Sequence, residues 1–408
     1  MTSDAQHESI TAEDLGLPPG ARMPLRFSPG RTWSPVVVSF PHVGLAWPHD
    51  LRPKPQVDFA RNADFEVQTL YPEANALGAA TVEAVYSRLV VDLNRAHDDV
   101  SAFVVPDHPA PRPRRRPGIP TPDGSERDHG HRLDRPGRGV VWASAIGNVR
   151  ILDAPLTFSA FRRRIELYHE PYYRALELLL ERRRRRFGYA ILLDAHSMPS
   201  SVGVDLVVGT LDGTTCAPAI ERLALDALGA LRTDSDSGSS PAELSLRLND
   251  PYRGGEVIRR FGRPDAGFHA LQLEINRRLY MDETTTTLWE HPTSDLLVPP
   301  ADDQTDRPMS HLQGAQWHGR PANPWHPTPY DERSPRSTSP SDRGPYLGRR
   351  RELAGVLGRI ATPPPRQGRD LAELLARVTC LLRSLVLEPS PIDRPADPSR
   401  GSTAEGSS

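Results

Sequence analysis

Apolar positions along the chain fall into two patterns, short β-branched runs and longer stretches spaced by three and four. Pro35-Val36-Val37-Val38-Ser39-Phe40, stopped by Pro41, is a buried-strand pattern. Asp64 to Leu77 has helical spacing, with Phe65, Val67, Leu70 and Tyr71 on one face. Thr81 to Leu93 reads as a strand pair or a single bent strand. Residues 157–186 form the longest helical pattern. Thr157 or Ser159 caps it, and Phe161, Ile165, Tyr168, Tyr172, Leu176, Leu179 and Leu180 make its apolar stripe. Pro171 predicts a kink within it. Arg182–Arg186 ends it as a solvated turn at the negative end of the helix dipole, and Gly188 closes it. Tyr189–Asp194 then reads as a central strand, 217–230 as a helix and Ala270–Ile275 as a late strand. Strands alternating with helices of this length predict an α/β fold with a mixed, largely parallel central sheet flanked by helices.

Proline changes this picture. The 43 prolines in 408 residues are about twice the usual share of roughly 5%. They crowd around 106–136, at 292–345 and from 389 onward, among Arg, Asp, Ser and Gly, where a packed core is not expected. The expected layout is a flexible arm over 1–30 and a single catalytic domain over 31–290, with a disordered Pro/Arg-rich insert at about 106–138. A Pro-rich linker (291–348), amphipathic C-terminal helices (349–361 and 368–388) and a disordered tail (389–408) follow. Whether those helices pack back on the domain or meet another protein stays open. The formal net charge of −2, from 50 basic and 52 acidic residues, points to neither nucleic acid nor an anionic membrane. Two cysteines, Cys216 and Cys380, allow one disulfide at most and no zinc–cysteine cluster. The early acids Asp4, Glu8, Glu13 and Asp14 and the lack of an apolar run near ~20 residues make a cytoplasmic protein the expectation.

Ligand-type and charged residues recur where the strand patterns stop: His42 after the first, Asp92-Leu93-Asn94-Arg95 after another, Asp194-Ala195-His196-Ser197 at the central one, and Glu274 within the last. In open α/β sheets the site lies outside the carboxyl ends of the strands. Taken singly, a histidine after a strand is more often a loop residue, and Asn-Arg a surface pair. Glu274 in an apolar strand must be catalytic or must hold a partner such as Arg277 or Arg278, because an unpaired buried charge is costly.

Seven ordered blocks then carry a resemblance. They are Ser39-Phe40-Pro41-His42-Val43-Gly44, Val91-Asp92-Leu93-Asn94-Arg95, Tyr168-His169-Glu170-Pro171-Tyr172, Leu193-Asp194-Ala195-His196-Ser197-Met198-Pro199, Gly209 through Cys216, Asn249-Asp250-Pro251-Tyr252-Arg253-Gly254-Gly255, and His269 through Arg277 with Tyr280-Met281-Asp282-Glu283. Over residues 34–285 the chain resembles the N-formylglutamate amidohydrolase (N-formylglutamate deformylase) family, itself similar to the zinc carboxypeptidases and aspartoacylases. The resemblance implies a zinc-exopeptidase-like (phosphorylase/hydrolase-like) fold and one zinc ion per chain. It implies hydrolysis of the amide of N-formyl-L-glutamate, or a close N-acyl amino acid, to formate and L-glutamate, a step of histidine catabolism.

Carried over position by position, His42 and His196 would be zinc ligands. The carboxypeptidase HxxE pattern is absent, since Leu45 stands three residues after His42, and Asp64 is the third ligand implied, with Glu66 the runner-up. Glu274 would be the general base. Asn94, Arg95 and Arg253 would hold substrate carboxylates, with Gly254-Gly255 letting backbone approach the ligand. Asp194 and Ser197 would support the ligands from behind. His169 either lines the pocket or supports the packing. Gln68 and Tyr173 depart from the family pattern, which keeps a second reading open: a related acylamino-acid or peptide amidase with the same zinc site. A non-catalytic module that kept the fold is the third; the presence of His42, His196 and Glu274 weighs against it.

Overall fold

The structure is a computed structural model that describes residues 8–51, 53–111, 138–229, 244–289 and 367–387. Its elements, in chain order, are β1 (Leu25–Ser28), β2 (Val36–Phe40), β3 (Ala80–Ala84), α1 (Phe158–Arg164), α2 (Glu170–Phe187), β4 (Ala190–Met198), β5 (Leu206–Gly209), α3 (Pro218–Gly229), β6 (Leu246–Leu248), α4 (Glu256–Phe261), β7 (Phe268–Asn276), the short pair β8 (Met281–Asp282) and β9 (Thr287–Leu288), and α5 (Gln367–Leu387). Among the described residues the main sheet has the order β1-β3-β2-β4-β7-β5-β6. It is mixed and largely parallel: β3, β2, β4 and β7 run together and β5 pairs parallel with β6, whereas β1 on β3 and β5 on β7 are antiparallel. No helix in the described residues is long and apolar enough to cross a membrane.

The strand period of two sorts the core into two layers. Val36, Val38, Phe40, Ile191, Leu193, Leu271 and Leu273 face α3 and α5. Val37, Ala190, Leu192 and Ala270 face α1, α2 and α4. On α5, Leu374, Val378, Leu381, Leu382 and Leu385 are buried at helical spacing against the first layer, each contributing about 1.5–3 kcal/mol. The helix expected at 368–388 therefore packs back on the sheet. The one expected at 349–361, the insert from 112 to 137, the linker and the tail lie outside the described residues.

Five expectations are corrected. Asp64 to Leu77 is not a helix: only Val67–Leu70 forms a 3₁₀ turn, after Glu66 in the left-handed region at φ 55°. The Asp64 N–H donates to the carbonyl of His42 at 3.0 Å, and the positive φ at Glu66 breaks the helical path two residues later. Residues 89–93 are not a strand either. The carbonyls of Val90, Leu93 and Arg95 accept from the side chains of Arg164, Tyr173 and His169, at 3.0, 2.8 and 2.8 Å, rather than from a neighbouring strand. The long helix is interrupted by a π turn at Ile165–His169, where the Glu170 N–H reaches back to Ile165, so Pro171 meets its missing donor at the start of α2.

The basic helix end is not simply solvated. Arg183 is buried, pairs through both amino groups with Glu8 at 2.9 Å and lies over Trp33, while Arg184 donates to Ala266. This pairing, with buried Leu15, Leu17 and Leu25 and the β1 ladder, fixes residues 8–30, which the sequence suggested as a loose arm. Cys216 and Cys380 are both free.

His169, the last residue of the π turn, is stacked on Tyr173 with centroids 4.4 Å apart and planes at 12°. Its bond to the Arg95 carbonyl requires the proton on Nε2. Burial pushes its pKa down to about 4, against a smaller opposing pull from that carbonyl. Below pH ~6.5 the unfolded chain therefore takes up a proton that the folded chain refuses. We predict that this contribution is intact above pH ~6.5 and is lost as pH falls toward ~4, by up to roughly 3 kcal/mol. Urea unfolding across that window should show a shallower pH dependence in His169→Gln than in the native chain.

Candidate metal and catalytic site

The site is assembled where the second layer runs out of helical cover. In β4 the period of two that buries Ala190 and Leu192 under α2 continues to Asp194 and His196; in β7 it continues from Ala270 to Gln272 and Glu274. The parallel register sets Asp194 beside Gln272 and His196 beside Glu274. His42 follows directly on β2, the other neighbour of β4, and its carbonyl holds the Asp64 N–H. Three separate segments thus deliver polar groups to one point, and all of them are buried.

One ligand-type atom each from His42, Asp64 and His196 lies within 4.8 Å of the other two. Asp64 Oδ2 is 2.9 Å from His196 Nδ1 and 3.4 Å from His42 Nδ1. The opposite ring nitrogens face carboxylates: His42 Nε2 lies 2.7 Å from Asp92 Oδ1, and His196 Nε2 lies 2.7 Å from Asp194 Oδ2. With Nε2–H given to a carboxylate, each Nδ1 keeps a lone pair for a cation. His42 Nδ1 is buried without a hydrogen-bond partner, which is the signature of an atom awaiting one. Two imidazoles and one carboxylate suit a borderline-soft dication, and the donor set fits zinc. Glu66, the alternative ligand, is turned away and accepts from Gln68 at 2.8 Å.

Asp64 is also held from behind. Ser197 Oγ donates to its Oδ1 at 3.2 Å, and Arg277, which donates to Ser197 Oγ and to the Ala63 carbonyl, comes within 3.5 Å. Burial would raise the Asp64 carboxyl, but the two imidazoles outweigh it and hold it well below the usual range. Burial would likewise lower His196, and Asp194 and Asp64 reverse that.

Glu274 differs. Burial dominates, and the carboxyl is pushed up to about 7 despite the charge of His196. Its one hydrogen bond is from Gln272 Nε2 to Oε1 at 2.9 Å. Neither arginine suggested as a partner holds it: Arg277 is engaged with Ser197 and Glu283, and Arg278 with Asp205.

These groups open on a cavity of about 280 Å³ lined also by Asn94, Arg95 and Arg253. Asn94 Nδ2 lies 3.2 Å from His196 Nε2 and 3.3 Å from Gln272 Oε1, while its Oδ1 accepts from the Val257 N–H. Arg95 has no hydrogen bond or ion pair on its guanidinium among the described residues, whereas Arg253 is tied through Nε and Nη2 to Asp212. His169 does not line the cavity; it stands behind, on the carbonyl of Arg95. The sequence reading missed Asp92, Arg88 and Gln272. Asp92 lies in Val91-Asp92-Leu93-Asn94-Arg95 with no sequence mark distinguishing it from a turn acid, and Gln272, two residues before Glu274 on a strand, is a signal that periodicity supplies.

Gly254 and Gly255, expected to let backbone approach the ligand, line the cavity, and Gly255 also makes room for Asn94: a Cβ there would sit 2.2 Å from the Asn94 amide. We predict that Gly255→Ala displaces that amide and breaks its bond to Val257, costing about 1–3 kcal/mol in chemical denaturation.

Comparison with known proteins places the chain in a family. The family model described as N-formylglutamate amidohydrolase matches residues 34–281. N-formylglutamate deformylases of Pseudomonas putida and Pseudomonas aeruginosa are each 31% identical, over 278 and 281 residues, covering 64% of this chain and 86% of theirs. The crystal structure of N-formylglutamate amidohydrolase from Ralstonia eutropha JMP134 superposes with a TM-score of 0.54 at 28% identity, covering 65% of this chain and 90% of that one. With the matched segment containing His42, Asp64, His196 and Glu274, the chain belongs to the N-formylglutamate amidohydrolase family.

Proposed function

We propose that the protein hydrolyses the amide bond of N-formyl-L-glutamate, releasing formate and L-glutamate, at a zinc site formed by His42, Asp64 and His196. The observation that carries the reading is the buried convergence of these three side chains on the cavity wall that also presents Glu274. Zinc, when bound, polarises the formyl carbonyl and the attacking water.

The remaining roles belong to the chain. Glu274 is the general base: Gln272 occupies its Oε1, which leaves Oε2 to take a proton from the water and pass it to the departing nitrogen. Its raised pKa makes it a strong enough base near neutrality while still able to return the proton. The water oxygen joins the formyl carbon, the C–N bond breaks, and the nitrogen leaves protonated. Arg95 and Asn94 hold the α-carboxylate, the arginine because its donor fork is uncommitted among the described residues. Asp212 leaves Nη1 of Arg253 for the side-chain carboxylate.

That same Asp212 pair favours one second reading. With Arg253 partly neutralised, an N-acyl amino acid bearing a single carboxylate would lose less than in a pocket with two free arginines.

We expect formate release from N-formyl-L-glutamate to stop on removal of zinc by a chelator and to return when zinc is restored. Glu274→Gln should lower kcat by about 10²–10⁴-fold with zinc content unchanged. Arg95→Ala should raise KM by roughly tenfold or more, the loss of a charge-assisted pair of about 1.5–3 kcal/mol. Turnover undiminished in metal-free protein would refute the zinc reading. A panel of N-formyl and N-acetyl amino acids separates the two substrates, and a preference for monocarboxylic amides would favour the second.

A further inference from the structure

Arg88 lines the cavity beside the other arginines, and charge alone would class it with them as a substrate-binding group. Its contacts say otherwise. Nη2 donates to Asp92 Oδ2 at 2.7 Å, and the guanidinium lies 4.8 Å from the ring centre of Trp142. Trp142 also carries Arg138 at 4.6 Å and belongs to a small buried cluster with Leu89, Ala145 and Ile151. The arginine is thus clamped between a carboxylate and an aromatic wall and is only 19% exposed.

Asp92 is fully buried, and both its oxygens are used. Oδ2 takes Arg88; Oδ1 takes His42 Nε2 at 2.7 Å and the Asn94 N–H at 3.1 Å. The other imidazole of the site differs: Asp194 holds His196, but among the described residues no cation pairs with Asp194 and its Oδ1 has no hydrogen-bond partner. His42 is therefore the ligand whose orientation depends on a chain of two charged groups, Asp92 and Arg88.

We propose that Arg88 is a positioning residue for the metal site, acting through Asp92 on His42, and not a substrate-binding residue. Arg88 fixes the Asp92 carboxylate, Asp92 holds Nε2–H of His42, and Nδ1 is thereby aimed at the point shared with Asp64 and His196. The inference rests on the zinc reading above.

The test is zinc(II) binding to metal-stripped protein, measured by competition with a chromophoric chelator, alongside KM for N-formyl-L-glutamate at saturating zinc. Arg88→Met and Asp92→Asn should each weaken zinc by about 10–100-fold. The double variant should be no weaker than Asp92→Asn alone, because both changes cut the same chain. KM of Arg88→Met should stay within about threefold of the native value, and Arg88→Lys should recover part of the zinc affinity. Native zinc binding in Arg88→Met with a tenfold higher KM would overturn the proposal, as would fully additive losses in the double variant. Should Arg88→Met not fold, Arg88→Lys decides alike: weakened zinc with unchanged KM supports the proposal, and the reverse overturns it. A native chain that binds no zinc would instead sink the reading on which the proposal rests.

Discussion

Four carboxylates, those of Asp64, Asp92, Asp194 and Glu274, are buried around one cavity wall, and the structure is organised to make that tolerable. Ionised carboxylates removed from water cost several kcal/mol each unless paired and hydrogen-bonded. Two imidazoles, Arg88 and Arg277 supply part of the compensation. The ligand-type atoms of His42, Asp64 and His196 that this pairing brings together could hold a metal ion. Glu274, the one acid of the four with a raised pKa, lies beside His196 in the sheet and has no arginine of its own. Burial is the main cause of that rise, and the neighbouring Asp64 and Asp194 add to it.

The supporting scaffold is unusual in where its backbone bonds go. Val90 to Arg95 lies next to the site yet belongs to no strand. Arg164, His169 and Tyr173 satisfy three of its carbonyls from the helical side, and the π turn, which ends in His169, lies between Arg164 on α1 and Tyr173 on α2. A regular helix would place these side chains on a different angular spacing, so the turn and the fastening belong together. Tyr173, which departs from the family pattern, is thereby accounted for: its hydroxyl holds Leu93 and its ring supports His169 and Phe261.

The sequence made legible what periodicity and strand termini encode. The runs at 36–40, 190–194 and 270–275 are strands, and the polar residues at their ends do converge. The failures share a cause. At 64–77 and 89–93 the apolar residues were read at the right spacing, and Val67, Leu70, Val90 and Leu93 are indeed buried. Their backbone, however, is steered by single long-range bonds, Asp64 to His42 and three side chains to carbonyls, which local pattern does not report. Arg88 and Arg253 illustrate the same limit for side chains. Each looks like a free cation in sequence, and each is committed to an aspartate that only the fold brings near.

That distinction between committed and free arginines bears on how the cavity recognises an anion. Arg88, Arg138, Arg253 and Arg277 each have an acceptor within the protein, so their geometry is set before any ligand arrives. Arg95 is the reverse: its backbone is held by His169, while its guanidinium has no hydrogen bond or ion pair among the described residues. A fixed mount with an uncommitted head costs little ordering on binding, because the backbone entropy is already lost in folding. In the proposed reaction this division lets the Arg95 guanidinium capture the α-carboxylate, while Arg253, held by Asp212, offers only Nη1 to the side-chain carboxylate. The asymmetry among arginines is then what orients the substrate, rather than the number of positive charges.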